Sequence, residues 1–275
     1  LADHRVDDQQ VLPGAALLEL ARAAAASQGW QTLALETVAW SHSAVGNPGI
    51  VLETQLQRDG ESLHFTVSSP TGTVYAQGQF SPLTPRPLQT LDVPACRAHC
   101  VTAKDVAGFY ADLQALKLQI QGGAFQVIQT LAVGADAVLA AIELNSASVD
   151  SALALHPALL DGAFQTCYAL LFAAQDRRLQ IPFSVERVAI YAPLPPRCLV
   201  YTRRIRSSQM GIHYFDLQLA TEAGHIVVEI TGFVPRPLHT ARGASAAAPA
   251  AMTGLLSFPQ WRPWLSPPVR DAAAP

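Results

Sequence analysis

Two side chains stand out as able to move protons. Asp161 lies in the most apolar run of the chain, Pro157-Ala-Leu-Leu-Asp161-Gly-Ala-Phe-Gln165-Thr-Cys-Tyr-Ala-Leu-Leu-Phe. A carboxylate there is costly unless it is paired or protonated, and a protonated carboxyl is a general acid. Gln165 follows four residues later, so on a helix it shares a face with Asp161 and can hydrogen-bond it. His4, in Asp3-His4-Arg5-Val6, is the second. Imidazole titrates near neutrality and serves as a general base. A His base opposite an Asp acid suits proton traffic at the carbons α and β to a carbonyl.

Other candidates carry less. Gln121-Gly122-Gly123-Ala124-Phe125-Gln126 holds two adjacent glycines that let backbone N–H groups approach a ligand, although alone it reads as an ordinary loop turn. Cys96-Arg-Ala-His99-Cys100 offers three metal ligands where structural zinc takes four, so no metal centre is expected. His156, before Pro157, reads as a helix-entry residue. No G-x-S-x-G, P-loop or G-x-G-x-x-G occurs, which leaves serine hydrolase, NTPase and dinucleotide readings without support.

The elements that must position His4 and Asp161 follow from periodicity. Val11-Leu12-Pro13-Gly14 leads into a helix over Ala15–Ser27 that Gly29 closes. Alternating runs at Ile50–Arg58, Ser62–Ser69 and Thr73–Phe80, with Asp59-Gly60 and Thr71-Gly72 between them, read as an antiparallel meander. Pro82, Pro85 and Pro87 open a linker. The pattern then repeats. Helices are expected at Val106–Leu116 and Leu155–Ala174, and strands at Val127–Val133, Ala137–Leu144, Val188–Tyr191, Leu199–Ile205, Ile212–Ala220 and His225–Val234. Helix followed by meander occurs twice, as in a duplicated unit whose shared seam could bring His4 and Asp161 together. After Pro237 an Ala/Ser/Pro-rich stretch reads as linker, ending in the aromatic anchors Phe258, Trp261 and Trp264.

Composition narrows the class. The 275 residues are 50% hydrophobic and 14% charged, with a net charge of −3. Such a chain is not a disordered tail and has no basic excess for nucleic acid. The apolar run Ala15–Ala26 is interrupted by Glu19 and Arg22, so no membrane span is expected. Four cysteines are too few for a disulfide scaffold of this length, and a reducing cytoplasm is expected. The first residue is Leu, with no basic leader, which reads as an excised or trimmed piece.

Taken together, these segments resemble the dehydratase domains of modular polyketide synthases. His4-x-x-x-Asp8-x-x-x-x-Pro13 is similar to their H-x-x-x-G-x-x-x-x-P motif, with Asp8 in the glycine position. Asp161-x-x-x-Gln165 resembles D-x-x-x-Q/H. Gln121-Gly122-Gly123-Ala124-Phe125-Gln126 resembles Y-G-P-x-F-Q without its Tyr and Pro, and Ile181-Pro182-Phe183-Ser184-Val185 resembles L-P-F-S-W with Val for Trp. Phe258-x-x-Trp261-x-Pro263 resembles a linker entering a ketoreductase region.

The resemblance implies an α+β double hotdog: residues 1–88 and 101–238 as its halves, 89–100 as linker and 239–275 as a linker toward a following domain. It implies a β-hydroxyacyl thioester held by the phosphopantetheine arm of an acyl carrier protein, with no tightly bound cofactor. His4 would take the α-proton and Asp161 would protonate the β-hydroxyl, supported by Gln165 and Gln121. Gly122, Gly123, Asp8, Pro13, Phe183 and Val185 would contact substrate. Partners would be the carrier protein, neighbouring synthase domains and a second copy in a homodimer. Asp8 is expected to bring a second carboxylate beside His4, and Val185 to widen the cavity. These departures leave a cyclase, closing a ring by adding a distal hydroxyl to the new alkene, as the alternative. A non-catalytic architectural domain is a further reading, against which the retention of His4 and Asp161 speaks.

Overall fold

The computed structural model describes residues 4–30, 33–46, 50–60, 62–84, 87, 89–120, 123–145, 153–208 and 211–238. Gln121, Gly122 and the aromatic tail lie outside the described residues.

The chain opens with a hairpin of β1 (His4–Val6) and β2 (Gln9–Leu12). Val6 pairs with Gln9, so Asp7 and Asp8 form a two-residue turn, with φ of 48° and 66°. Both residues sit in the left-handed region that such turns demand and that Asp tolerates better than most side chains. Helix α1 (Gly14–Ser27) follows Pro13 and buries Ala15, Leu17, Leu18, Ala21 and Ala25. It stops at Gly29, where φ is 89° and the N–H groups of Gly29 and Trp30 donate to the carbonyls of Ala26 and Ala25.

Next come β3 (Leu33–Trp40), β4 (Ala44–Val45) and the expected meander of β5 (Glu53–Asp59), β6 (Ser62–Ser68) and β7 (Val74–Pro82). The segment read as linker, 89–100, contains helix α2 (Val93–His99), capped by Asp92. Then follow β8 (Thr102–Ala103), α3 (Val106–Ala115), β9 (Leu118–Ile120), β10 (Ile128–Val133) and β11 (Ala137–Glu143). Helix α4 (Pro157–Ala173) has Pro157 in its first turn, and its N-cap His156 accepts the Ala158 N–H through Nδ1. The chain continues through β12 (Gln180–Ile190), β13 (Arg197–Ser207), β14 (His213–Ala220) and β15 (Ile226–Pro237).

All ladders between these strands are antiparallel. Eleven strands form one sheet in the order β5-β6-β7-β3-β12-β15-β14-β13-β11-β10-β8. The β3–β12 ladder joins its early and late strands, with Val185 opposite Val38 and Val188 opposite Leu35. A second sheet, β4-β2-β1-β9, carries His4 opposite Ile120.

Helix α4 is buried on all faces from Ala158 to Phe172, as its continuous apolar sequence requires. Gly162 allows this: a Cβ there would come within 2.2 Å of Val127 Cγ2. Strand β12 begins earlier than Val188. Pro182 argues against strand, yet it is tolerated near the strand start beside a bulge between Pro182 and Ser184.

Candidate active site

His4 is 5% exposed and Asp161 8%. They meet with His4 Nε2 3.8 Å from Asp161 Oδ2, one from the short sheet and one from α4. His4 Nδ1 lies 2.8 Å from the Val11 carbonyl across the β1–β2 hairpin. A carbonyl only accepts, so Nδ1 carries the hydrogen, and in the neutral ring Nε2 presents its lone pair toward Asp161. The Phe125 ring packs on His4 with centroids 5.5 Å apart.

Asp161 Oδ2 accepts a 2.7 Å hydrogen bond from Gln165 Nε2, one helical turn on. The same amide nitrogen reaches the Phe125 carbonyl at 3.4 Å, while Gln165 Oε1 is buried without a hydrogen-bond partner among the described residues.

Both groups line a cavity of about 120 Å³. Its walls are mainly apolar: Leu12, Pro13, Leu17, Trp40, Phe164 and Phe233 among them. Phe164 stacks on Phe233 at 4.3 Å, and Trp40 meets both rings edge-on while donating its indole N–H to the Gly14 carbonyl at 3.1 Å. Tyr168 OH donates to the Gln180 carbonyl at 2.5 Å and accepts the Gln180 N–H at 2.8 Å. This fixes the start of β12 against α4, and burial pushes the Tyr168 phenol well above its ordinary range.

Glu19 is the positioning residue that the apolar pattern conceals. On sequence it only interrupts the first helix. In the structure it is 3% exposed, and its carboxylate accepts Arg22 Nε and Nη2 at 2.8 and 2.7 Å. It also accepts the N–H groups of Ala154 and Leu155 at 3.2 and 2.8 Å. It therefore pins the chain just ahead of the N-cap of α4, the helix that carries Asp161. The i,i+3 Glu–Arg spacing inside an apolar helix was the available signal.

The remaining candidates divide. Pro13 lines the cavity. Asp8 does not stand beside His4: it is exposed in the turn and accepts from Gln119 Nε2 at 2.7 Å. Its left-handed backbone points the carboxylate away. Phe183 lies under the Arg236 guanidinium, 3.4 Å from the ring centroid, instead of lining the cavity. Val185 is 1% exposed in the core between β3 and β15, so its size does not set the cavity width. Gly123 turns the chain at φ 80° and is not a lining residue. Gln121 and Gly122 lie outside the described residues.

Cys96 and Cys100 are buried on and just after α2, and burial raises both thiols. His99 bridges Asp136 Oδ1 and Tyr201 OH, each at 3.0 Å. No described helix is long and apolar enough to cross a membrane.

Comparison with known proteins gives one result throughout. A family profile described as polyketide synthase dehydratase N-terminal domain matches residues 88–245, and one described as polyketide synthase dehydratase domain matches residues 1–70. Polyketide synthase ThaG of Burkholderia thailandensis is 31% identical over 265 residues, covering 91% of this chain and 4% of its own length. Polyketide synthase PksN of Bacillus subtilis is 27% identical over 280 residues, covering 96% of this chain and 5% of its own length. This chain thus spans only a small part of these curated relatives.

Among solved structures, a trans-AT PKS dehydratase domain from Brevibacillus brevis superposes with a TM-score of 0.80 at 26% identity, covering 87% of this chain and 90% of that one. The dehydratase domain from the CurJ module of curacin polyketide synthase gives 0.78 at 26%, covering 86% and 87%. With the antiparallel sheets around α1 and α4 and with these matches, the chain belongs to the polyketide synthase dehydratase domains and has their double-hotdog fold.

Proposed function

We propose that this domain removes water from a β-hydroxyacyl thioester to give the α,β-unsaturated thioester. The observation that carries the reading is the 3.8 Å approach of His4 Nε2 and Asp161 Oδ2 at the wall of one apolar cavity. His4 Nε2 takes the α-proton, and the C–H electron pair becomes the new Cα=Cβ bond. The Cβ–O bond breaks as Asp161 gives its proton to the leaving hydroxyl, which departs as water. His4 is left protonated and Asp161 ionised, and passing one proton between them restores both. Gln165 donates to Asp161 Oδ2 and so fixes the orientation of the carboxyl for that transfer. The apolar walls keep bulk water from competing for either proton.

In this reading residues 1–88 and 101–238 are the two hotdog halves, joined by 89–100, and 239–275 leads toward a following synthase domain. The substrate arrives on the phosphopantetheine arm of an acyl carrier protein in the cytoplasm, and the domain needs no bound cofactor of its own. Ring closure on the same scaffold loses two of its supports, since neither Asp8 nor Val185 faces the cavity.

The test is incubation with a β-hydroxyacyl carrier-protein surrogate that also bears a distal hydroxyl. Loss of one water by mass, with a linear alkene by chromatography, is expected. A cyclic product would replace the reading with the cyclase, and unchanged substrate would leave a non-catalytic domain.

A further inference from the structure

One stretch of the cavity wall differs from the rest. Ser41, His42 and Ser43 all line it, in succession, between β3 and β4. The three are exposed, so they sit where the cavity opens, and they are polar on an otherwise largely apolar wall.

The stretch is held at both ends. The Ser41 N–H donates to the Tyr75 carbonyl at 3.0 Å, and Val11 and Leu12 pair with Val45 and Ala44. The His42 ring is fixed as well, with Nδ1 2.9 Å from the Val74 carbonyl. That contact makes Nδ1 the donor, so the neutral ring offers Nε2 as an acceptor. Two hydroxyls flank it in sequence and can donate or accept. A fixed acceptor beside two hydroxyls on the wall of an oily cavity is suited to a ligand hydroxyl or amide N–H.

We infer that Ser41, His42 and Ser43 form a polar subsite that hydrogen-bonds a hydroxyl or amide of the bound acyl-pantetheine chain, away from the carbons that His4 and Asp161 serve. This rests on the dehydratase reading for the identity of the ligand. The shared chemistry is a donor several bonds from the thioester, and it has two sources: a distal hydroxyl on the acyl chain or an amide of the carrier arm. His42 is then a specificity-determining residue.

Unreactive acyl amides, lacking both the thioester and the β-hydroxyl, read this without turnover. One pair of ligands carries or lacks a distal hydroxyl on the same pantetheine. A second pair carries the same acyl group on full pantetheine or on a cysteamine stub. The domain should prefer the donor-rich member of one pair by roughly 3- to 10-fold in Kd, the size of a net hydrogen bond. His42→Ala should erase that preference, and His42→Gln, which keeps an acceptor, should retain part of it. Ser41→Ala with Ser43→Ala, which leaves the His42 anchor to Val74 intact, should reduce it.

The pair that responds identifies the source. No preference in the parent, an undiminished preference in His42→Ala, or equal weakening for every ligand would overturn the subsite. Turnover of a short β-hydroxyacyl pantetheine thioester by the parent domain, measured in parallel, reports on dehydration separately.

Discussion

The two central helices each carry a carboxylate in the interior, and the two are treated in opposite ways. Glu19 on α1 is saturated, with two bonds from Arg22 and two from backbone N–H groups. Among the described residues, Asp161 on α4 has one side-chain hydrogen bond, from Gln165, and faces His4 across 3.8 Å at the cavity wall. A carboxylate with every lone pair engaged has no face left for a substrate and serves structure. One with an open face can take up and give a proton. The difference lies in what surrounds each group: an arginine and a chain turn for one, a histidine and a void for the other.

The largest expected effect comes from closing off the open carboxylate. Asp161→Asn keeps the shape but not the acid, and should lower turnover of a β-hydroxyacyl thioester by about 10²- to 10⁴-fold. Circular dichroism and melting should stay close to the parent. Turnover at the parental rate would remove Asp161 from the chemistry, and His4→Ala should behave in the same way.

Opening the saturated carboxylate tests the other side. Glu19→Gln leaves Arg22 as a largely buried cation without its counter-ion, and should cost about 3–5 kcal/mol in urea unfolding. Glu19→Met combined with Arg22→Met removes both charges and should cost less than the single change. A double variant no more stable than Glu19→Gln would show that the backbone contacts to Ala154 and Leu155 dominate. Next in size is Gly162→Ala, beside Asp161, whose methyl must displace Val127. About 1–3 kcal/mol is expected from overpacking, read by the same unfolding assay.

A third acidic group sharpens the contrast and should give the smallest effect. Asp176 accepts from Arg178 and Gln180, with His213 Nε2 at 3.7 Å. Hydrogen bonds from Arg178 hold its carboxyl below the ordinary range despite partial burial. Burial pulls the His213 imidazole below its ordinary 6.5, against the opposing attraction of Asp176. As pH falls through about 6.5 the unfolded chain binds a proton at His213 that the folded chain resists, so stability drops. The Asp176 contribution is present above 3.8 and is lost only as pH falls through its lowered folded value. Melting temperature should therefore decline modestly from pH 7 to 5.5, and His213→Gln should flatten that decline. An unchanged slope in the variant would place its origin elsewhere.

Much of this arrangement was legible in the residues themselves. The spacing of Asp161 and Gln165 gave their shared helical face, the meanders gave the antiparallel strands, and Pro13, Gly29 and Pro157 marked helix ends. What was not legible depended on partners far away in sequence. Glu19 is explained by backbone groups at Ala154 and Leu155, and β1 becomes a strand by pairing with both β2 and β9. Three residues carry too little periodicity to announce that. Side-chain direction was the other gap. A motif position says which residue stands at Asp8 or Val185, but the left-handed turn and the two flanking strands decide where each points.

The β3–β12 ladder has a consequence for anyone who would divide this domain. Cutting the chain within 89–100 leaves β3 on one fragment and β12 on the other, each stripped of a partner in the middle of the sheet. Both edges would present rows of unpaired N–H and C=O groups beside apolar side chains such as Val38 and Val185, which template pairing with any available strand. The fragments should be insoluble apart and recover only when mixed. Within the sheet, the early strands thus rely on the late ones to cover the open edge of β3.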